Sequence, residues 1–359
     1  METINGGNAT EERRNNERRG DNRRGCDRRV DWKTAAEWKE AERRLQRERR
    51  QFERRTIERR VAELPEGLYL LNLPQALPGF RYFISSWFFV DALGRRVVVD
   101  PGPASTIPLL INRLSRLTES VDFVLLTHIH LDHAGGIAQF CEHFKGARVW
   151  VHPKARRHLL DPEKLWKGSL RTLGDIVQTY GQPQPLNPNS LMDRDDIPGI
   201  TCIETPGHAP HHVSFIVPFK NERLVFLGEA GGLYLPLASS PTLPYLRPTT
   251  PPKFDCVAAQ SSIQKIGQAV ESDDLLCYAH WGAIRRPHTH IALAKGQLDE
   301  WLSLIFKMKD QTAEDITDYL LENDSLVSGF FRLPHDLQER ERFFINNSVQ
   351  GFLQYFREN

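Results

Sequence analysis

Apolar residues follow two regimes along this chain. In the first 60 positions they are sparse. Trp38, Ala41, Leu45 and Phe52 recur at spacings of three, four and seven, and neither Gly nor Pro interrupts from Asp31 to Leu64. This pattern predicts one amphipathic charged helix over 31–63, with acid–base pairs on its outer face. Leu64-Pro65-Glu66-Gly67 closes it. Beyond residue 66 the pattern changes to short apolar or alternating runs divided by Pro, Gly and Asn. GLYLLNL, YFISSWFFVDA, RRVVVDPG, VDFVLLT and ARVWVHP make a first batch of predicted strands; ITCIE, HVSFIVPF, RLVFL and LLCYA make a second. Helices are expected at about 106–118, 134–144, 155–180 and 255–271, and from 288 to 359. Residues 181–198 read as a long loop. Residues 236–254 hold Pro236, Pro241, Pro244, Pro248, Pro251 and Pro252 and are expected to lack regular structure. Two strand batches, each followed by helices, predict two sheets covered outside by helices.

Composition adds a size and a compartment. With 359 residues, 40% apolar and 26% charged, the chain can build one large core plus an appendage. No run of about 18 apolar residues exists, so no membrane span is expected, and the first ten residues lack a secretory apolar stretch. Five scattered cysteines, none in a C-x-x-C pair, argue against a disulfide framework and for a reducing cytoplasm. The net charge of +1 hides an asymmetry: residues 1–60 carry 17 Arg and 2 Lys against 13 acids, a net +6, and the rest is −5. Arg pairs at 13–14, 18–19, 23–24 and 28–29 repeat every five residues. That step turns about 140° on a helix, so no single basic stripe forms. Residues 1–30 are expected to be a disordered Arg-rich tail, with an anionic partner for the arm and a homodimer through 31–63 as its candidate interactions.

The sharpest chemical signal is Thr127-His128-Ile129-His130-Leu131-Asp132-His133. It directly follows a buried strand. Alternate residues on an extended turn face one side, so His128 and His130 can converge on one ion. Asp132 and His133 lie one step further and can hold a second. Imidazole and carboxylate together suit Zn²⁺, Fe or Mn²⁺. One turn cannot close a coordination shell, and other strand ends offer more donors: His208 after Pro206-Gly207, Glu229 after Gly228, and His280 after LLCYA.

This ordered set resembles the metallo-β-lactamase superfamily of metal-dependent hydrolases, over roughly residues 66–290. The Asp100-Pro101-Gly102 turn resembles the family's strand-end D-x-G. The resemblance implies a four-layer αββα sandwich, here with an N-terminal charged helical arm and C-terminal helices. It also implies two divalent ions, zinc first and Fe or Mn as alternatives. His128, His130 and His208 would bind one; Asp132, His133 and His280 the other; Glu229 would bridge. The family's bridging residue is Asp, so Glu229 is a departure. The domain expected over 64–287 would then hydrolyse a small-molecule ester, thioester or lactone with a metal-activated hydroxide. Asp132 would also orient that nucleophile and receive its proton. Tyr234, Trp281 and Arg285 are expected to line the substrate pocket, and the helices of 288–359 to roof it. His211 and His212 are expected to have structural roles. The alternatives are di-iron redox chemistry, nucleic-acid phosphodiester cleavage and a non-catalytic metal-loaded sensor.

Overall fold

The computed structural model describes residues 64–192, 197–235, 245–280 and 282–359, and seven helical positions between 40 and 51. The expected Arg-rich tail of 1–30 and most of the expected helix of 31–63 lie outside the described residues. Contacts divide the chain into two units, 1–47 and 48–359. The second carries both sheets and all the C-terminal helices.

The first sheet is built from β1 (Leu68–Asn72), β2 (Ser85–Val90) and β3 (Arg96–Val99), then β4 (Phe123–Leu125) and β5 (Arg148–Trp150), in sequential order. β1, β2 and β3 pair antiparallel; β3, β4 and β5 pair parallel. Parallel neighbours need crossovers. The first crossover contains α1 (Ile107–Leu114) and the second contains α2 (Leu131–Ala134) and α3 (Ile137–His143). The expected helix at 134–144 therefore begins three residues earlier, inside the histidine motif. Next come α4 (Arg156–Leu160), α5 (Glu163–Leu173) and α6 (Asp175–Tyr180).

The second sheet comprises β6 (Thr201–Glu204), β7 (Val213–Phe219), β8 (Glu222–Gly228), β11 (Leu275–Tyr278) and β12 (Ala283–Ile284), in the order β12-β11-β8-β7-β6. Between β8 and β11 lie a small ribbon, β9 (Leu233–Leu235) with β10 (Tyr245–Arg247), and α7 (Cys256–Ala269). β10 corrects the expectation for 236–254. Three proline-free residues between Pro244 and Pro248 suffice for a short antiparallel pairing. The chain ends in α8 (Pro287–Lys307), α9 (Ala313–Asn323) and α10 (His335–Glu358). Side-chain oxygens cap two helix starts: Asp255 accepts from the Ala258 N–H at 2.9 Å and Thr312 from the Asp315 N–H at 3.1 Å.

Strand alternation assigns the layers. Trp87, Phe89, Val97, Val99, Phe215, Phe226 and Leu275 fill the space between the sheets. Their neighbours Phe88, Val98, Ile216, Val225 and Leu276 face the helices. Both faces of each sheet are thus buried, which gives the four-layer αββα sandwich. No helix among the described residues is long and apolar enough to cross a membrane.

The C-terminal helices join this body through buried polar contacts. Glu341 of α10 accepts from Arg247 of β10 at 2.6 Å, from Arg340 at 2.8 and 2.9 Å, and from the Tyr245 hydroxyl at 3.1 Å. Gly351 lets α10 approach the 249–251 segment: a Cβ there would meet the Thr250 carbonyl oxygen at 1.9 Å.

Candidate metal centre

Every donor expected from the sequence except Asp132 and His133 stands just beyond a strand, at one edge of the sandwich. Thr127 to His130 leave β4 in extended form, and Asp132 and His133 sit in the first turn of α2. His208 follows β6, Glu229 follows β8 and His280 follows β11. Gly228 makes the Glu229 turn. Its φ is +56°, and a Cβ there would meet His212 Nε2 at 2.3 Å.

Two groups of donors result. In one, His128, His130, His208 and Glu229 offer ligand atoms within 4.8 Å of one another; in the other, Asp132, His133 and His280 do the same. His130 Nδ1 lies 3.1 Å from His128 Nε2 and 2.9 Å from His208 Nε2. Asp132 Oδ2 lies 3.4 Å from His133 Nε2 and 3.7 Å from His280 Nε2. Two nitrogens on one tetrahedral ion with bonds of about 2.0–2.1 Å are separated by roughly 3.3 Å. Glu229 faces both groups. Its Oε2 is 2.7 Å from His208 Nε2, 3.3 Å from His128 Nε2 and 3.8 Å from His133 Nε2, while Oε1 is 3.8 Å from His280 Nε2. The longer Glu side chain therefore spans the two groups.

The remaining imidazole nitrogens fix the tautomers. His133 Nδ1–H donates to Asp100 Oδ2 at 3.1 Å, His280 Nδ1–H to the Phe83 carbonyl at 3.1 Å, and His208 Nδ1–H to the Thr249 carbonyl at 2.9 Å. Carboxylate and carbonyl oxygens only accept, so these three directions are forced. Thr127 Oγ1 gives its proton to Asp100 Oδ2 at 2.6 Å, so His128 Nδ1–H donates to Thr127 Oγ1 at 3.1 Å. Four Nε2 lone pairs are thereby aimed inward. His133 Nε2 is buried without a hydrogen-bond partner. Converging lone pairs at hydrogen-bond distance, one of them orphaned, fit cations.

Without a cation the same carboxylates hold protons on His133 and His208, which an ion displaces on binding. Burial opposes charge on Glu229, but His208 and His128 hold its carboxyl well below the usual range. Burial likewise opposes charge on His133, yet Asp132 and Asp100 raise its pKa well above the ordinary value. Burial, and then the nearby His208, push His130 down to about 3.

Besides His212, for which a supporting role was expected, the site has supports that sequence reasoning missed. Asp100 was read only as part of a turn. Its φ is +50°, and it accepts from the Thr127 N–H at 2.8 Å besides Thr127 Oγ1 and His133. His212 holds the Glu229 backbone, accepting its N–H on Nε2 at 2.9 Å. The other His212 nitrogen donates to Thr205 Oγ1 at 2.8 Å. Thr249 donates to the Glu229 carbonyl at 2.8 Å. Phe83 stacks on His280 with centroids 4.3 Å apart. Asp100→Ala is expected to weaken metal affinity about 10–100-fold, because His133 loses its tautomer-fixing partner. Competition with a chelating dye measures this; unchanged affinity would remove Asp100 from the site.

A cleft of about 440 Å³ opens beside the two groups. It is lined by His130, Asp132, His208, Glu229 and His280, by α5 and α6, and by Phe344, Asn347 and Ser348 of α10. His211 also lines it. The expectations for Tyr234 and Arg285 are corrected. Tyr234 is buried against Tyr278 and His290, away from the cleft lining. Arg285 follows β12, which runs antiparallel to β11 and carries it to the opposite end of the sheet. There it binds Glu222 at 2.5 Å. Adjacency to His280 in sequence did not survive the hairpin. Trp281 lies outside the described residues.

The sequence matches the metallo-beta-lactamase superfamily over residues 80–273. It is 26% identical over 199 residues to a metallo-beta-lactamase fold-containing protein of Sulfurisphaera tokodaii, covering 52% of this chain and 69% of that one. It is 27% identical over 190 residues to the hydroxyacylglutathione hydrolase GloC of Haemophilus influenzae, covering 50% and 86%. With the hydroxyacylglutathione hydrolase of Saccharophagus degradans it shares 29% identity over 134 residues, which span only 42% of that enzyme and 37% of this chain. Among solved structures, a metallo-beta-lactamase family protein from Thermus thermophilus superposes with a TM-score of 0.54 at 23% identity, covering 82% of this chain and 94% of that one. The family match covers more than half of the chain and takes in the first sheet almost whole, the histidine turn, His208 and Glu229. This protein belongs to the metallo-beta-lactamase superfamily.

Proposed function

We propose that the protein is a metal-dependent hydrolase of an ester, thioester or lactone, with His128, His130 and His208 holding one divalent ion, Asp132, His133 and His280 a second, and Glu229 bridging. The carrying observation is the inward convergence of these seven side chains with four imidazole tautomers fixed from behind. Five imidazoles and two carboxylates suit zinc, with Fe or Mn as alternatives. Two such ions supply Lewis acidity and a water acidic enough to react near neutral pH.

The chain's own part is positioning. Asp132 directs Oδ2 at the His133 and His280 nitrogens, which leaves Oδ1 to take a proton released at the cleft side. Phe83, Leu131, Tyr180 and Phe344 give the cleft apolar walls that exclude water from the reacting bond. The similarity to hydroxyacylglutathione hydrolases supports hydrolysis as the reaction type.

Elemental analysis of protein purified without added metal, coupled to turnover of ester, thioester, lactone and phosphodiester substrates, tests this reading. Two zinc equivalents and ester or thioester turnover that a chelator abolishes and zinc restores are expected. Metal-loaded protein that turns over none of these overturns it. Two iron equivalents with oxygen consumption would replace it with the redox alternative.

A further inference from the structure

The cleft is electrically and chemically two-sided. Its inner wall is apolar and buried: Phe83, Leu131, Val177 and Tyr180 stand close to the donor cluster. Its mouth is basic. Lys164, Arg171 and Lys253 all line it and all are solvent-exposed. Lys164 and Arg171 are seven residues apart on α5, two turns and roughly 10 Å along the same face. Gly168 between them leaves open space. Lys253 comes from a separate segment, after Pro251-Pro252, with a φ of +71°.

Among the described residues, none of these three cations has a carboxylate within ion-pair distance. Several other basic residues of the same body do. Lys167 pairs with Glu163 on the solvent side of α5, Lys295 with Asp299, Arg223 with Glu271 and Asp274, and Arg342 with Glu314 and Asp318. Among the described residues, the only carboxylates lining the cleft, Asp132 and Glu229, face the imidazoles. Unpaired cations around one opening favour a polyanion there. A buried apolar wall beside the donors favours an uncharged group next to the reacting bond.

We propose, resting on the hydrolase reading above, that the substrate is an ester or thioester joining an apolar acyl group to a carrier with several negative charges. Lys164, Arg171 and Lys253 hold the carrier at the mouth, and the acyl group lies inward. For a thioester, water adds to the acyl carbon and the C–S bond breaks. A carboxylate and a thiol leave, with one proton released.

The test compares acyl thioesters of coenzyme A, a carrier with several phosphate charges, with the same acyl groups on uncharged N-acetylcysteamine. The metal-replete full chain is expected to prefer the coenzyme A thioester by about tenfold or more in kcat/KM, and salt should erode that preference. The ratio should collapse toward one in the K164A/R171A/K253A variant. It should stay unchanged in K167A, a paired cation on the same helix. Lengthening the acyl group from acetyl to octanoyl should raise kcat/KM by about fivefold or more. Equal turnover of charged and uncharged carriers, or a ratio indifferent to the triple variant, overturns the inference and leaves the hydrolase reading standing. No turnover of either thioester overturns the thioester form of that reading instead. Calorimetric binding of coenzyme A to wild type and triple variant then decides the inference by itself: binding lost in the variant supports the basic mouth, and equal or no binding overturns it.

Discussion

Replacing Glu229 by alanine is expected to lower bound metal from two equivalents to one or fewer and to reduce hydrolytic kcat/KM by about 10³-fold, roughly 4 kcal/mol of transition-state stabilisation. Among the described residues, Glu229 is the single carboxylate that faces both donor groups, with Oε2 toward His208 and His128 and Oε1 toward His280. Glu229→Asp is the sharper variant. Its carboxylate is shorter by one methylene, and the backbone cannot follow. The Glu229 N–H is held by His212 and its carbonyl by Thr249. The aspartate is therefore expected to keep the ion nearest His208 and lose affinity for the one beside His280. Metal titration with elemental analysis separates the two outcomes. Two equivalents and full turnover in the alanine variant would show that Glu229 does not bridge.

Glu341→Leu is expected to cost about 3–5 kcal/mol of stability, because it removes the buried carboxylate that both Arg247 and Arg340 bind. That corresponds to a fall in Tm on the order of 10 °C. Arg247, Arg340 and Glu341 are all nearly inaccessible, at 2%, 3% and 0% exposure. Burial alone would raise the Glu341 pKa, but Arg247 and Arg340 outweigh it and the pKa is lowered. The sign follows: this stabilisation is complete above the unfolded carboxyl value of about 4.3 and is lost as pH falls through the lower folded value. The variant should lack this part of the acid dependence. Replacing all three members by apolar residues of similar volume should recover most of the loss. The damage should also reach the metal centre. The Arg340 guanidinium lies 4.5 Å from the Phe83 ring centroid, and Phe83 both stacks on His280 and accepts its Nδ1–H. Thermal unfolding with and without metal measures both effects. A Tm unchanged within about 2 °C, well below the shift expected, would show that the triad contributes little.

The histidine turn was legible because its spacing is local. His128 and His130 lie two residues apart on an extended exit, and Asp132 and His133 follow within one helical turn. The distal donors were legible because strand ends are marked by Pro-Gly and Gly, and because their order resembles the family's. Imidazole centroids of His128 and His208, 80 residues apart, come to 4.9 Å, and those of His133 and His280 to 5.1 Å. The errors came from reading sequence neighbours as spatial neighbours. Tyr234 follows Glu229 by five residues but turns into the core with β9. Arg285 follows His280 by five but is carried away by a hairpin. The proline-rich stretch hid β10, and with it Arg247 and Thr249, which brace the centre.

The sequence by itself determined the two batches of alternating strands, and hence the layered sandwich, because the period of burial is written in single residues. It also determined which donors were chemically able to meet. Tertiary structure alone decided which nitrogen of each imidazole faces inward, how Glu229 reaches both groups, and which cations ring the cleft. Those outcomes depend on acceptors such as Asp100, the Phe83 carbonyl and the Thr249 carbonyl, brought from segments tens to hundreds of residues away. Backbone carbonyls in particular carry no residue signature, so no local pattern can announce them.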